Sequence, residues 1–217
     1  MKVLVACEES QRVCISFREQ GHEAYSCDIQ DQSGGHPEWH IMQDVLSLIN
    51  GNCEFETTDG VKHKITDKWD LIIAHPPCTF LSNVGAQHLF NKADHSIKNK
   101  ERYENGLKAK EFFMNFINAD CDKICVENPT PMTIWNLPKY TQSIQPYFFG
   151  EPFKKRTCLW LKGLKLLEPT NIVENAEPTT IKGNWYNRGG KDKSKIRSKT
   201  FWGIAKAMAE QWGGRIK

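Results

Sequence analysis

The stretch Asp70-Leu71-Ile72-Ile73-Ala74-His75-Pro76-Pro77-Cys78 decides the fold. Leu71 to Ala74 reads as a short apolar strand. Two prolines then fix two φ angles and remove two backbone donors, so the strand stops in a stiff turn. The turn carries a thiol, Cys78, and strand ends are where open α/β sheets concentrate their chemistry. A thiol held there has little freedom, which suits a nucleophile that must meet an electrophilic carbon in one orientation. The same residues also describe a half-buried cysteine in a structural turn, since free cysteine is commonly buried.

Outward from this strand, strand-like and helix-like segments alternate, which predicts an α/β fold, doubly wound around a mainly parallel sheet. Val3 to Ala6 reads as the first strand. Ser10 is a residue type that caps helices, and a helix is expected through Val13 and Phe17 to Gln20, ended by Gly21. Glu23 to Cys27 is a second strand ending in Asp28, and Ile41 to Asp44 a short third one ending in a second carboxylate. Cys53 to Ile65, with Thr58-Asp59-Gly60 in its middle, reads as an inserted β-hairpin. Glu101 to Asn118 has the strongest helical period, with Leu107, Phe112, Phe113, Phe116 and Ile117. Lys123 to Val126 is a buried strand leading into Glu127-Asn128-Pro129. Thr157 to Leu161 is a further strand, and Thr200 to Trp212 a final helix with Ile204, Ala205, Met208 and Trp212 on one face. The expectation is a single domain over residues 1–217, with the hairpin at about 53–65 and a polar, basic loop or flap at about 168–198.

The 217 residues are 25% charged and 39% hydrophobic, ordinary for a globular protein. No apolar run is long enough to span a membrane. The N-terminal residues turn acidic at Glu8, too early for a signal peptide, so cytoplasmic residence is the expectation. Eight cysteines include several in apolar strand-like segments, which fits reduced thiols rather than a disulfide framework. No Cys-x-x-Cys pair occurs. His36 and His40 are four apart, but Pro37 interrupts an ordinary helix between them, and no metal site is assigned. Net charge is +3, unevenly spread. Lys191, Lys193, Lys195, Arg197 and Lys199 follow Trp185, Tyr186 and Arg188, a basic and aromatic interleaving that suits a phosphate backbone and exposed bases.

Asp28, Asp44, Cys78 and Glu127 all fall at the carboxyl ends of different predicted parallel strands, which share one crevice in a doubly wound sheet. Carboxylates after the second and third strands can bind ribose hydroxyls and an adenine amino group of a nucleoside cofactor. A thiol beside a carboxyl group suits addition to a conjugated ring, where charge is relieved by protonation elsewhere on that ring.

Pro76-Pro77-Cys78, Glu127-Asn128 and Lys154-Lys155-Arg156-Thr157-Cys158-Leu159-Trp160-Leu161-Lys162-Gly163 resemble the ordered motifs of the DNA cytosine-5 methyltransferases. Ser198 to Ala205 lies where that family's last motif returns to the cofactor pocket. The resemblance covers most of the chain and is specifically to short, phage- or prophage-type members. It implies a Rossmann-like methyltransferase fold, S-adenosylmethionine as cofactor and DNA as partner, with the target cytosine flipped out or single-stranded. Cys78 would attack C6, Glu127 would bind or protonate N3, and Arg156 would support the flipped base. The methyl group would go to C5, and a general base would then release the enzyme by β-elimination. Glu8, Asp28, Asp44 and Pro76 would line the cofactor, and Lys191, Lys193, Lys195 and Arg197 would contact nucleic acid. Where the family has a glycine-rich first loop, this chain has Ala6-Cys7-Glu8-Glu9-Ser10-Gln11, without glycine. The interval Leu164 to Ser198 is too short for the family's target-recognition domain but long enough for a basic flap, so sequence-specific duplex readout would be weak unless a specificity partner or a dimer supplies it.

Three function classes follow. The first is a cytosine-5 methyltransferase with minimal target recognition. The second uses the same thiol activation for another C5-pyrimidine modification, on DNA or a free nucleotide. The third is a catalytically inactive nucleic-acid or nucleotide binder.

Overall fold

The structure is a computed structural model that describes residues 1–179 and 193–214. In chain order its elements are β1 (Lys2–Ala6), α1 (Arg12–Glu19), β2 (Glu23–Asp28), β3 (His40–Met42), β4 (Cys53–Glu56), β5 (Lys62–Ile65), β6 (Leu71–Ala74), α2 (Ala86–Leu89), α3 (Lys100–Ile117), β7 (Ile124–Asn128), β8 (Gln142–Ile144), β9 (Phe153–Lys154), β10 (Thr157–Lys162), β11 (Glu177–Pro178), α4 (Lys193–Ser198) and α5 (Trp202–Met208). Seven strands form the central sheet in the order β3-β2-β1-β6-β7-β10-β8. β1, β2, β3, β6 and β7 are parallel. β10 runs antiparallel to both of its neighbours, so the amino end of β10 meets the carboxyl ends of the parallel strands. The chain steps outward from β1 to β3 and then crosses back to β6 on the other side of β1. That reversal is the topological switch point where open sheets bind ligands.

The four residues of β6 are wholly buried, as a strand between two parallel neighbours must be. Their side chains divide between two apolar layers. Ile72 and Ala74 join Leu4, Val126, Phe113, Phe116 and Trp160 on one face. Leu71 and Ile73 join Val3, Val5, Phe17, Ala205, Met208 and Trp212 on the other. α3 covers the first face, while α1 and α5 cover the second, the doubly wound arrangement expected. Each fully buried Phe or Leu contributes about 1.5–3 kcal/mol by leaving water.

Local features differ from expectation where side-chain chemistry is subtle. Ser10 does not cap α1. Gln11 occupies the cap position in a left-handed conformation, φ 58°, and the cap is Glu8, as described below. Asp44 lies beyond β3 and caps a 3-10 turn at Val45–Ser47, accepting from the Leu46 amide. The hairpin forms, with β4 and β5 paired antiparallel outside the central sheet. β8, a three-residue edge strand, was not anticipated. Among the described residues no helix is long and apolar enough to cross a membrane, and all eight cysteines are free thiols.

Candidate functional site

The carboxyl edge of the sheet gathers two groups of polar side chains, one on each side of β1. On the β2–β3 side, Asp28 ends its strand and accepts from the Gln30 amide at 2.9 Å. Its register partner on β3 is Met42. Asp28 and Asp44 both bear on the Cys7 thiol, which burial, before either carboxylate, drives far up. Ile29 and Met42 are 78% and 55% exposed, an unusual place for apolar side chains beside two carboxylates. Sequence reading passed over both, because each looks like an ordinary strand residue.

The loop after β1 takes the backbone shape that glycine would allow, without glycine. Cys7 and Gln11 have φ of 59° and 58°, a conformation costing an L-residue roughly 1–2 kcal/mol. Gln11 is fully buried. Its amide donates to Ser26 Oγ and the His36 carbonyl, and its oxygen accepts from the His36 amide. These three bonds fix the strained residue. The two histidines of the same region have other partners. His40 contacts Ser26 Oγ and the Gln30 carbonyl through its two ring nitrogens. His36 contacts Glu38 at 3.0 Å and stacks on Trp39.

Glu8 is buried, and its carboxylate faces the start of α1. One oxygen accepts from the Val13 amide at 2.7 Å and the other from the Cys14 amide at 3.2 Å, and Ser10 Oγ donates to it at 3.4 Å. A helix N-terminus is a ready anion site. Here the chain fills that site with its own carboxylate. Burial raises the Glu8 pKa, while His75 and these hydrogen bonds oppose the rise.

On the β6–β7 side, Glu127 stands at the end of β7. His75, the first residue after β6, contacts it through Nδ1 to Oε2 at 2.8 Å, with the side chains 8% and 16% exposed. Burial alone would lower the His75 pKa, but the hydrogen bond and charge of Glu127, with the charge of Glu8, raise it overall. Burial alone would raise Glu127, but His75 and then Lys155 hold it below the usual carboxylate range. Both shifts favour the charged forms of the pair. His75 was read in the sequence only as part of the turn. A histidine abutting a strand end, next to a glutamate-ended strand, is the signal that could have found it.

Cys78 is half-buried. Its thiol is raised by burial first and by the Glu127 carboxylate second, with Lys155 and Arg197 pulling it back. The turn that carries it is tied from several sides. Asn128 Nδ2 donates to the Pro76 carbonyl at 3.0 Å, and Pro76 itself is buried. Leu81 and Ser82 amides donate to the Cys78 carbonyl. Arg102 on α3 donates to the Thr79 carbonyl at 2.6 Å.

The cation of this group is Lys155, and the expectation for Arg156 is corrected. Arg156 is exposed, and its guanidinium donates to Tyr140 Oη at 2.6 Å and lies over the same ring. Alternation of side chains along the chain entering β10 explains the exchange. Lys155 and Thr157 line a small cleft with Glu127, Lys199, Thr200, Phe201 and Ile204, while Arg156 points away. Lys155 Nζ also donates to the Arg197 carbonyl at 2.8 Å. Lys199 Nζ donates to Ser33 Oγ and is 3.8 Å from Glu9. The end of the basic segment is thus fastened across the sheet edge. Lys191 lies outside the described residues. Lys193 and Lys195 belong to α4 by backbone, and their side chains lie outside the description.

The structure therefore brings together Cys78, Glu127, His75 and Lys155, and separately Asp28, Asp44 and Cys7, with Glu8 between them at β1. No protein-family model matches the sequence, and no curated protein matches it. Among solved structures the chain is similar to a putative DNA modification methyltransferase encoded within a prophage of E. coli, at 13% identity and a TM-score of 0.43. That match covers 80% of this chain and 52% of the other. It is also similar to a mutant of Spodoptera frugiperda DNMT2, at 15% identity and a TM-score of 0.36, over 83% of this chain and 55% of the other. The chain spans about half the length of the solved structures it matches.

Proposed function

We propose that this chain is a methyltransferase that modifies C5 of cytosine in DNA, with Cys78 as nucleophile and Glu127 as the group that engages the ring. The observation that carries this reading is a thiol on a proline-stiffened turn beside a largely buried carboxylate, at the carboxyl edge of a mainly parallel sheet. Cys78 as thiolate adds to C6, forming an S–C6 bond and moving the C5–C6 π electrons onto C5. Glu127 engages the N3 edge and relieves the charge that addition puts there. Once C5 has gained a substituent, a base removes the C5 proton, the double bond re-forms and the S–C6 bond breaks. A target inside a duplex must first leave the stack. Burial and the Glu127 charge disfavour the thiolate of Cys78, while Lys155 and Arg197 favour it.

The residues near β1 fit a nucleoside cofactor without a phosphate. The N-terminus of α1, where a dinucleotide's pyrophosphate would lie, is taken by Glu8. Asp28 and Asp44 suit ribose and adenine donors, and exposed Ile29 and Met42 suit the faces of a base. S-adenosylmethionine meets both conditions and would supply an electrophilic methyl carbon. Glu8, tied to helix amides, would act by closing the phosphate site rather than by touching the cofactor. The basic segment containing Lys191, Lys193, Lys195 and Arg197 would follow the DNA backbone, since its far end is anchored at Lys155 and Ser33.

Mass spectrometry of nucleosides from DNA co-expressed with the protein tests the reading. A methylated deoxycytidine that vanishes in Cys78→Ser is expected. Another mass on the same base would assign a different C5 modification. Unmodified DNA, with no covalent adduct on 5-fluorocytosine DNA in the presence of S-adenosylmethionine, would refute the enzyme.

A further inference from the structure

His75 has no role in the chemistry above, yet its ring is held at the centre of the edge, against the carboxylate of Glu127. Its Nδ1 is 2.8 Å from Glu127 Oε2. Its Nε2 is buried and has no hydrogen-bond partner among the described residues. It stands between β1 and β7, since its amide donates to the Ala6 carbonyl at the end of β1 and its ring reaches Glu127 on β7. The charged and titratable groups facing the pair are Glu8 after β1, Lys155 before β10 and Cys78 in the turn after β6. Cys125 on β7 and Cys158 on β10 also feel the Glu127 charge.

We propose that His75 is a positioning residue: its ring clamps one oxygen of Glu127, so that the other oxygen is presented to the ring of the base as an acceptor. Two requirements of the chemistry make this useful. A carboxylate whose Oε2 is held cannot rotate freely, so Oε1 is offered in one direction. An ionised carboxylate has acceptors only, so it takes the 4-amino group of cytosine directly and takes N3 only when N3 carries a proton. Engaging the whole N3–N4 edge therefore takes up one proton from solvent, which goes to N3, while Glu127 stays ionised and His75 keeps its proton. The role in catalysis rests on the proposed reading of Cys78 and Glu127, whereas the clamp itself does not.

The test has two independent arms. In the first, histidine and glutamate side chains of the substrate-free protein are isotope-labelled and titrated by NMR. His75 is expected to stay protonated above the ordinary histidine range and Glu127 ionised below the ordinary carboxylate range. Glu127→Gln should lower the His75 titration, because burial and Lys155 are then opposed only by the charge of Glu8. His75→Asn keeps a nitrogen donor near the Nδ1 position without a charge, and should raise the Glu127 titration. A neutral His75 at mildly acidic pH in the wild type, or a Glu127 titration unmoved in His75→Asn, would overturn the clamp. In the second arm, the rate of covalent trapping by 5-fluorocytosine DNA with S-adenosylmethionine is followed against pH. His75→Asn is expected to trap at least about tenfold more slowly at neutral pH, with its optimum displaced. A slowing by the same factor at every pH would mark a merely structural residue and overturn the proposal. No trapping by the wild type at any pH would sink the cytosine reading, while the NMR arm still decides the clamp.

Discussion

Gly106 is the sharpest place to test how the site is braced, because two effects of opposite sign meet there. It lies inside α3, where glycine costs a helix about 1 kcal/mol relative to alanine. On propensity alone, Gly106→Ala stabilises. The structure reverses the sign. A Cβ at Gly106 would lie 2.7 Å from Trp135 Cζ3 and closer still to Cζ2 and Cη2. Ordinary carbon contacts are about 3.5–4.0 Å, and an indole ring cannot bend aside as the end of a flexible chain can. Trp135 is 1% exposed and stacked on Tyr103. Overpacking of this kind costs about 1–3 kcal/mol. Lifting a third of an indole's roughly 200 Å² into water adds about 1–2 kcal/mol. After subtracting the helix gain, Gly106→Ala should lose about 1–4 kcal/mol, read as a lower urea midpoint at unchanged slope. Trp135→Leu should remove most of that penalty, so the two substitutions should be strongly non-additive. A Gly106→Ala protein as stable as the wild type would refute the packing argument. The effect should reach the site, since Trp135 ends the loop that leaves Glu127. That loop is bonded to the loop leaving Cys78 through Asn83 to the Thr130 carbonyl and Met132 to the Leu81 carbonyl.

Gln11→Gly should relieve about 1–2 kcal/mol of left-handed strain but remove three side-chain hydrogen bonds worth about 1 kcal/mol each; a net loss in thermal melts is expected, and a gain would mean the bonds add little. The His75–Glu127 pair should shape stability against pH at both flanks. Glu127 lies below its ordinary value, so its contribution is present above the unfolded carboxylate pKa and lost as pH falls through the folded one. His75 lies above its ordinary value, so its contribution is complete below the unfolded histidine pKa and lost as pH rises through the folded one. Urea midpoints of Glu127→Gln across the pH range should therefore lose curvature on both sides, and an unchanged profile would count against the ion pair. Replacing Lys193, Lys195 and Arg197 together with alanine should weaken DNA binding and reduce the slope of log affinity against log salt by up to about 2–3; an identical slope would remove the basic segment from the interface.

The parts of this fold that were legible in the sequence are those written by burial. Leu71 to Ala74 and Val3 to Ala6 are apolar because they lie between parallel neighbours, and Ile124 to Val126 because they lie between parallel β6 and antiparallel β10; at the carboxyl ends of the strands the apolar runs give way to polar residues. Those same transitions marked Asp28, Cys78 and Glu127. Strand direction was not legible. Thr157 to Leu161 looks like any buried strand, and only the register of Cys158 with Asn128 and Leu159 with Glu127 reveals that it runs backwards. This reversal brings Lys155 to the edge, and a one-residue step along an alternating chain separates Lys155 in the cleft from Arg156 on Tyr140. β8 was missed because Gln142-Ser143-Ile144 is short and polar at a sheet edge. The cap of α1 was misread because Ser10 is the commoner capping type, while Glu8 reaches the helix amides only through the left-handed turn at Gln11.

That turn bears on what the site can hold. A glycine-rich loop lets a ligand approach the backbone and leaves a helix N-terminus open to a phosphate. Here the same backbone path is built from residues with side chains. Gln11 spends its amide on Ser26 and His36, Glu8 closes the start of α1, and Cys7 faces Asp28 and Asp44. A ligand approaching the start of α1 therefore meets the Glu8 carboxylate in place of the Val13 and Cys14 amides. A pyrophosphate has no helix terminus to meet. A nucleoside with hydroxyl donors toward Asp28 and Asp44, and an apolar face toward Ile29 and Met42, meets complementary groups. The loop thus argues for the cofactor class through what it blocks as much as through what it offers. It also makes a direct demand: Glu8→Ala, which reopens the α1 terminus, should give a phosphate-bearing nucleotide a foothold that the wild type denies. Calorimetry of ADP against both proteins decides it. Measurable ADP binding to the wild type, or none to a folded Glu8→Ala, would show that the internal carboxylate does not set this preference.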